Sequence, residues 1–100
     1  MINYDENNIF ANIINKKLPT EIIMESEYSI AFNDIAPQAS IHILVIPKGK
    51  YIKYDDFLNK ASKEEIYDFF MLINRLVKIN NLEKTGYRLI ANAGKNANQE

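Results

Sequence analysis

His42 is the only histidine of this sequence, and histidine is the side chain that ordinarily exchanges a proton near neutral pH. It lies in the apolar run of residues 41–46, where the period of a strand places it on the same face as Ser40 and Leu44. A Ser–His nucleophilic pair needs close contact and a third, orienting group, and strand neighbours two residues apart usually sit too far apart. A hydrogen-bonded core histidine is therefore the simpler interpretation, and acid/base catalysis is the alternative.

The other residues that could take part in catalysis or ligand binding give weaker signals. The sequence has no cysteine, which excludes disulfides, thiolate catalysis and cysteine-type zinc sites, and one histidine cannot form a cluster of imidazole ligands. Asp55 and Asp56 are adjacent, so their side chains diverge and a solvated surface is expected. Backbone amides of residues 94–99 (GKNANQ) could hold a phosphate, but a surface turn is the simpler interpretation. We expect neither a metal nor a cofactor.

Length and composition indicate one ordinary globular domain. The 100 residues are 47% hydrophobic and 25% charged, with 12 basic and 13 acidic side chains. A net charge of −1 gives no basic field for nucleic acid and no cationic face for lipid. The N-terminus is polar and acidic, unlike a secretory signal, and no apolar run is long enough to span a membrane. The expected location is the cytoplasm.

Hydrophobic periodicity predicts helices and strands in mixed order. The elements follow a helix–hairpin–strand–helix–strand arrangement, with a helix over residues 7–17, strands over 21–25, 28–33 and 41–46, a helix over 62–81 and a strand over 87–92. This order indicates an α+β domain with an antiparallel sheet.

The helix over 62–81 has the strongest sequence signature. Ser62 and Glu65 have the spacing of a capping box, and apolar residues follow at helical period. The apolar face is broad, because Leu72 and Ile79 widen it. A domain of this size would not cover the whole face, so we expect self-association.

Three segments together resemble a known family. NIFANIINKKLPTEII, AFNDIAPQASIHILVIPKGKY and GYRLIANAGKNANQE, in this order and spacing, resemble the histidine triad (HIT) superfamily in its branch of purine nucleoside phosphoramidases. The resemblance covers residues 8–100, which we take as the domain, after a tail of residues 1–7. It implies a fold with one short N-terminal helix, one long helix and a five-stranded antiparallel sheet. It also implies a two-fold homodimer.

The resemblance also implies a binding site for a purine nucleoside monophosphate or its phosphoramidate. Asp34 would accept hydrogen bonds from the ribose hydroxyls, and Asn33 would lie beside base and sugar. His42 would be a supporting histidine that leans on the catalytic one, not the catalyst itself. The base slot would be apolar, lined by Ile9, Phe10, Ile13, Phe32 and Ile35. The amide side chains of Asn92 and Gln99 would lie near the phosphate.

Two departures from the family pattern change these expectations. Some relatives carry Cys-x-x-Cys and bind zinc where this sequence has Asn8 and Ala11, so no metal is expected here. The family also follows the position of Gln99 with His-x-His-x-His on a last strand, and this motif supplies the nucleophile. We therefore expect a domain that is incomplete at its C-terminus and inactive in hydrolysis. Its missing strand would expose the edge of residues 87–92.

Three functions therefore remain open. The chain is an inactive member of a nucleotide hydrolase or transferase lineage, a binding module that retains a purine slot, or an interaction remnant that only associates through exposed surfaces.

Overall fold

The first two strands form an antiparallel hairpin. The structure, a computed structural model, describes residues 21–34 and 39–93. Strand β1 (Ile22–Glu25) pairs with strand β2 (Ser29–Asn33), with an irregularity in the register between Ile22 and Met24. The turn is closed by a 2.9 Å hydrogen bond from the backbone N–H of Ser26 to the carbonyl of Ser29. Both predicted strands of the hairpin are thus confirmed.

Strand β3 (Ile43–Pro47) pairs with the other edge of β2, so the sheet has the order β1-β2-β3. The antiparallel register runs without interruption from Ser29 opposite Pro47 to Asn33 opposite Ile43. The predicted strand over 41–46 is confirmed with shifted bounds. The predicted position of His42 within this strand is wrong, because His42 directly precedes β3.

Three helices follow the sheet: α1 (Tyr54–Lys60), α2 (Lys63–Ile79) and α3 (Leu82–Thr85). The capping box at the start of α2 forms as predicted, because the Ser62 hydroxyl accepts from the N–H of Glu65 and the Glu65 carboxylate accepts from the N–H of Ser62. The predicted helix over 62–81 ends early at Asn80. Asn81 adopts the left-handed conformation, with φ of 56°, which separates α2 from α3.

The core forms where α2 packs on one face of the sheet. Ala31 from β2 is buried against Leu72 and Leu76 of α2, and partly buried side chains surround this centre, namely Met24, Ile43 and Val45. Because side chains alternate along a strand, Ile30 and Phe32 point to the opposite face, where they are also buried. Strand β2 is therefore buried on both faces, as a central strand is.

The prediction of a strand over residues 87–92 is wrong. The structure has no strand there, and Tyr87, Leu89 and Ile90 are 56%, 63% and 64% exposed. Strand-forming composition is not sufficient, because an extended segment becomes a strand only when a neighbour pairs with its backbone. In the described part of the chain, the open sheet edges are consequently those of β1 and β3, not that of residues 87–92. The predicted helix over 7–17 lies outside the described residues.

The α+β class predicted from the sequence is confirmed. Within residues 21–34 and 39–93 the sheet has three strands, against the five that the resemblance implies. No helix in those residues is long and apolar enough to cross a membrane.

Candidate functional site

The side chains of Asp34 and His42 meet where β2 ends and β3 begins. Nε2 of His42 lies 3.3 Å from Oδ2 of Asp34, and both side chains are partly buried. The register brings them together: Asn33 is the last residue of β2 and pairs with Ile43, and the next backbone N–H, that of Asp34, donates a 3.0 Å hydrogen bond to the carbonyl of His42. The sheet thus presents a carboxylate and an imidazole side by side at its open end.

Phe32 lies on the same sheet face as this pair. Residues 32 and 34 of one chain segment, and 42 and 44 of the other, alternate to the face opposite α2. Phe32 is only 3% exposed, so its ring belongs to the interior of this face rather than to an open slot. The structure therefore brings three residues of the predicted site, Phe32, Asp34 and His42, to one face of the sheet.

Asn33 and Asn92 are the other two predicted site residues that the structure describes. Asn33 is exposed at the end of β2, opposite Ile43. Asn92 is exposed in the stretch after α3, which is not a strand. The remaining predicted site residues lie outside the described residues; these are Ile9, Phe10, Ile13, Ile35 and Gln99.

An open groove of about 580 Å³ adjoins the Asp34–His42 pair, and sequence reasoning missed it. It is lined by β3 and the residues before it, by α2, and by residues 82 and 85–90. His42 and Ser40 both line this groove. The sequence feature that could have indicated the groove is the strand-like pattern of residues 87–92, whose apolar side chains are expected to pack against a neighbouring element.

The described residues include no group of three or more His, Cys, Asp or Glu side chains placed to hold a metal ion. The chemistry of Asp34 and His42 is that of hydrogen bonding and ion pairing, not of metal binding. The carboxylate accepts hydrogen bonds, and the imidazole beside it either donates to that carboxylate or, when protonated, forms an ion pair with it.

The HIT domain family model matches residues 15–100, which is most of the chain. The chain belongs to the HIT family. An uncharacterized HIT-like protein of Rickettsia prowazekii is 51% identical over 96 residues, which cover 96% of this chain and 80% of that protein. A HIT-like protein of Azospirillum brasilense is 43% identical over 97 residues, covering 97% of this chain and 80% of that protein.

Solved structures of HIT proteins share the fold. A HIT family hydrolase from Legionella pneumophila superposes with a TM-score of 0.84 at 31% identity, covering 94% of this chain and 83% of that chain. A HIT family hydrolase from Clostridium thermocellum gives a TM-score of 0.82 at 35% identity, covering 96% and 83%. The HIT fold and the membership of the HIT superfamily that three sequence segments indicate are therefore confirmed.

Proposed function

We propose that this HIT protein binds a purine nucleoside monophosphate beside the contact between Asp34 and His42. That contact is the observation that carries the proposal, because it fixes a carboxylate at the open end of the sheet. Both hydroxyls of a ribose are donors, and a carboxylate accepts from two donors with the stronger, charge-assisted kind of hydrogen bond. Asp34 is therefore the ribose-binding residue of the proposal, and His42 is its positioning partner.

The proposed positions of the base and the phosphate are those that the family resemblance implies. The buried ring of Phe32 supports the apolar wall of the base slot from within, and exposed Asn33 is free of the core to approach base and sugar. Asn92 is the predicted phosphate neighbour among the described residues. A slot that is mostly apolar with a few polar groups fits a nucleotide, whose base is flat and whose sugar and phosphate are polar.

Names of related proteins support a nucleotide as the ligand. A protein from Candida albicans described as a histidine triad nucleotide-binding protein is 28% identical, with a TM-score of 0.79 over 92% of this chain and 66% of that chain. The proteins from Legionella pneumophila and Clostridium thermocellum are described as hydrolases.

We further propose that these 100 residues bind the nucleotide without cleaving it. Phosphoryl or nucleotidyl transfer through histidine needs an imidazole that attacks phosphorus, and the sequence holds one histidine. That histidine lies 3.3 Å from Asp34, where it can position the carboxylate, and the resemblance gives its position a supporting role. A second candidate, an association module, is favoured by the exposed apolar residues of the groove and of α2.

Calorimetric titration of the protein with AMP and GMP tests the proposed binding site. Asp34→Asn is expected to weaken AMP binding by about tenfold to a hundredfold, the range for a charged hydrogen bond of about 1.5–3 kcal/mol. Asp55→Asn is the matched control, because it removes the same charge from an exposed position in α1 and should leave affinity unchanged.

A deoxyribose ligand separates ribose recognition from general electrostatics. If Asp34 holds the sugar, replacing AMP with 2′-deoxy-AMP weakens binding to the parent protein and has little further effect on Asp34→Asn. Equal losses in both proteins would place the sugar elsewhere. Affinity that is unaffected by Asp34→Asn would refute the proposed site.

A further inference from the structure

The charge of His42 acts directly on the carboxylate of Asp34. Nε2 of His42 lies 3.3 Å from Oδ2 of Asp34, and the two side chains are 28% and 22% exposed, respectively. That exposure lets the imidazole exchange a proton with water. The partial burial keeps solvent from fully screening the two groups from each other. A change of charge on His42 therefore changes the electrostatic environment of Asp34.

The backbone keeps these two side chains together. The N–H of Asp34 donates a 3.0 Å hydrogen bond to the carbonyl of His42, directly after the pair Asn33 and Ile43 in the register of β2 and β3. A proton that binds the imidazole thus acts on a carboxylate that is already in contact with it. The strands do not have to move for the effect to occur.

The two protonation states of the imidazole offer Asp34 different partners. A neutral ring has one N–H, on either nitrogen, whereas the protonated ring has two and carries a positive charge. Protonation converts the contact into an ion pair with a charge-assisted hydrogen bond. Histidine is the side chain that ordinarily changes charge between pH 5 and pH 8, and this sequence has one histidine.

The titratable and charged groups around His42 come from two other parts of the described chain. Asp34, directly after β2, attracts a protonated imidazole, and Arg88, which lines the same groove as His42, repels it. Tyr87 also lines that groove, and tyrosine ordinarily stays neutral below pH 8. The residues that α2 contributes to the lining are uncharged, namely Ile73, Leu76 and Val77.

We propose that His42 makes ribose binding by Asp34 dependent on pH, because the neutral imidazole leaves the negative charge of the carboxylate to the ribose hydroxyls and the protonated imidazole compensates it. This inference rests on the proposed function, in which Asp34 accepts from the ribose. A carboxylate whose charge is compensated is a weaker acceptor for neutral hydroxyls, so nucleoside affinity falls as the pH falls through the titration of His42. By linkage, nucleoside binding displaces protons from His42.

Adenosine is the probe that tests this dependence. It keeps the ribose and lacks the phosphate, whose second ionisation lies near pH 6 and would confuse the result. Calorimetric titration should show about threefold to tenfold weaker binding at pH 5.5 than at pH 7.5, the difference between a charged and a neutral acceptor. Near pH 6.5, titrations in buffers of different ionisation enthalpy should show the release of about a third of a proton, as a fivefold difference in affinity requires.

His42→Gln is the matched variant, because it places an amide donor that does not titrate at the same position. It should bind adenosine with the same affinity at both pH values and release no proton. The amino terminus and Asp34 titrate in this variant as they do in the parent protein, so it also controls for them. A loss of affinity on acidification as large as that of the parent protein would overturn the proposal.

Asp34→Asn separates this inference from the proposed function. Adenosine binding that depends on Asp34 but is unchanged or tighter at pH 5.5 would refute the regulation by His42 and leave the binding site in place. Adenosine binding that is equally tight in Asp34→Asn, or absent from the parent protein at millimolar concentration, would refute the proposed function and this inference with it, since a ribose held by Asp34 does not need the phosphate.

Discussion

Oδ2 of Asp68, in the second turn of α2, accepts a hydrogen bond of 2.6 Å from the hydroxyl of Ser26 and one of 3.2 Å from the N–H of Tyr28. One carboxylate thus holds the turn between β1 and β2 against the long helix. Lys48 strengthens the same turn, since its ammonium donates to the carboxylate of Glu25 at 2.6 Å and to the carbonyl of Ser26 at 2.7 Å. The hairpin whose far end carries Asp34 is therefore fixed to α2.

Replacing this carboxylate should destabilise the fold. Asp68→Ala is expected to lower the free energy of unfolding by about 1–3 kcal/mol, because the Ser26 hydroxyl and the Tyr28 N–H lose a charged acceptor. Urea unfolding followed by circular dichroism measures the change. Asp55→Ala is the control: its carboxylate lies 3.9 Å from Lys53 on the surface, so a change within about 0.5 kcal/mol is expected. Equal losses in both variants would contradict the anchoring role.

Local pattern predicted the elements that local interactions determine. The capping residues Ser62 and Glu65 lie three positions apart and fixed the start of α2, and the apolar runs located β1, β2 and β3. Helix α1 was missed because its seven residues hold one buried side chain, Phe57, and so give no helical stripe. The strand over 87–92 was wrong because strand formation depends on a partner that no local pattern encodes.

The same distinction applies to the site. The spacing of Asp34 and His42 in the sequence does not predict that their side chains touch. The family resemblance placed both residues in one binding site. The contact itself follows from the antiparallel register of β2 and β3, which is a tertiary property. The groove beside β3 depends on how α2 and residues 85–90 pack next to the strand, which is a tertiary property, so sequence reasoning did not find it.

Glu65 should make the stability of the fold depend on pH. Burial opposes its ionisation, but hydrogen bonds from the N–H of Ser62 and the hydroxyl of Tyr51 outweigh burial and hold the pKa of Glu65 below its ordinary value of 4.5. A carboxyl group with a lowered pKa in the folded state contributes stability above the unfolded pKa, and this contribution is lost as the pH falls through the folded pKa.

Urea midpoints measured from pH 7 down to pH 3 test this dependence. The parent protein should be more stable than Glu65→Gln at pH 7, and its advantage should shrink as the pH falls below about 4.5. Glu64→Gln, which removes the neighbouring carboxylate in the same helical turn, is the control and should lower the free energy of unfolding at pH 7 by less than Glu65→Gln does. A parent advantage that is independent of pH would show that the Glu65 charge does not contribute.

Gly49 lies against the ring of Tyr51, so a larger residue there should disturb the Tyr51–Glu65 contact. A Cβ atom at position 49 would collide with the ring of Tyr51 and lie 3.1 Å from Oε2 of Glu65. The ring is held by its edge-on packing against Phe57, at a centroid distance of 5.3 Å. Gly49→Ala is therefore expected to cost about 1–3 kcal/mol of unfolding free energy.

A double-mutant cycle assigns the cause of the Gly49→Ala effect. In the background Tyr51→Ala the ring is gone, and adding Gly49→Ala should cost much less than in the parent protein. The same loss in both backgrounds would trace the effect to the backbone at position 49 instead of the ring.

The exposed side of α2 is the surface through which we propose that two copies associate. Tyr67 is 69% exposed, and Phe70, one turn further on, is also exposed. Sedimentation equilibrium should show a dimer whose Kd rises by about tenfold or more in Tyr67→Glu, because aromatic residues dominate such interfaces. Tyr54→Glu, at an exposed tyrosine of α1, is the control. A parent protein that stays monomeric at high concentration would refute this dimer.

The single histidine of this sequence, in a supporting position, predicts binding without turnover. We expect the 100-residue chain to bind AMP and to leave adenosine 5′-phosphoramidate intact, because its one imidazole holds a carboxylate and no second histidine attacks phosphorus. His42→Ala should weaken AMP binding by a few-fold, less than Asp34→Asn, since it removes a positioning contact and leaves the ribose acceptor in place. Ammonia release above background that disappears in His42→Ala would contradict this, and would make His42 the catalytic residue.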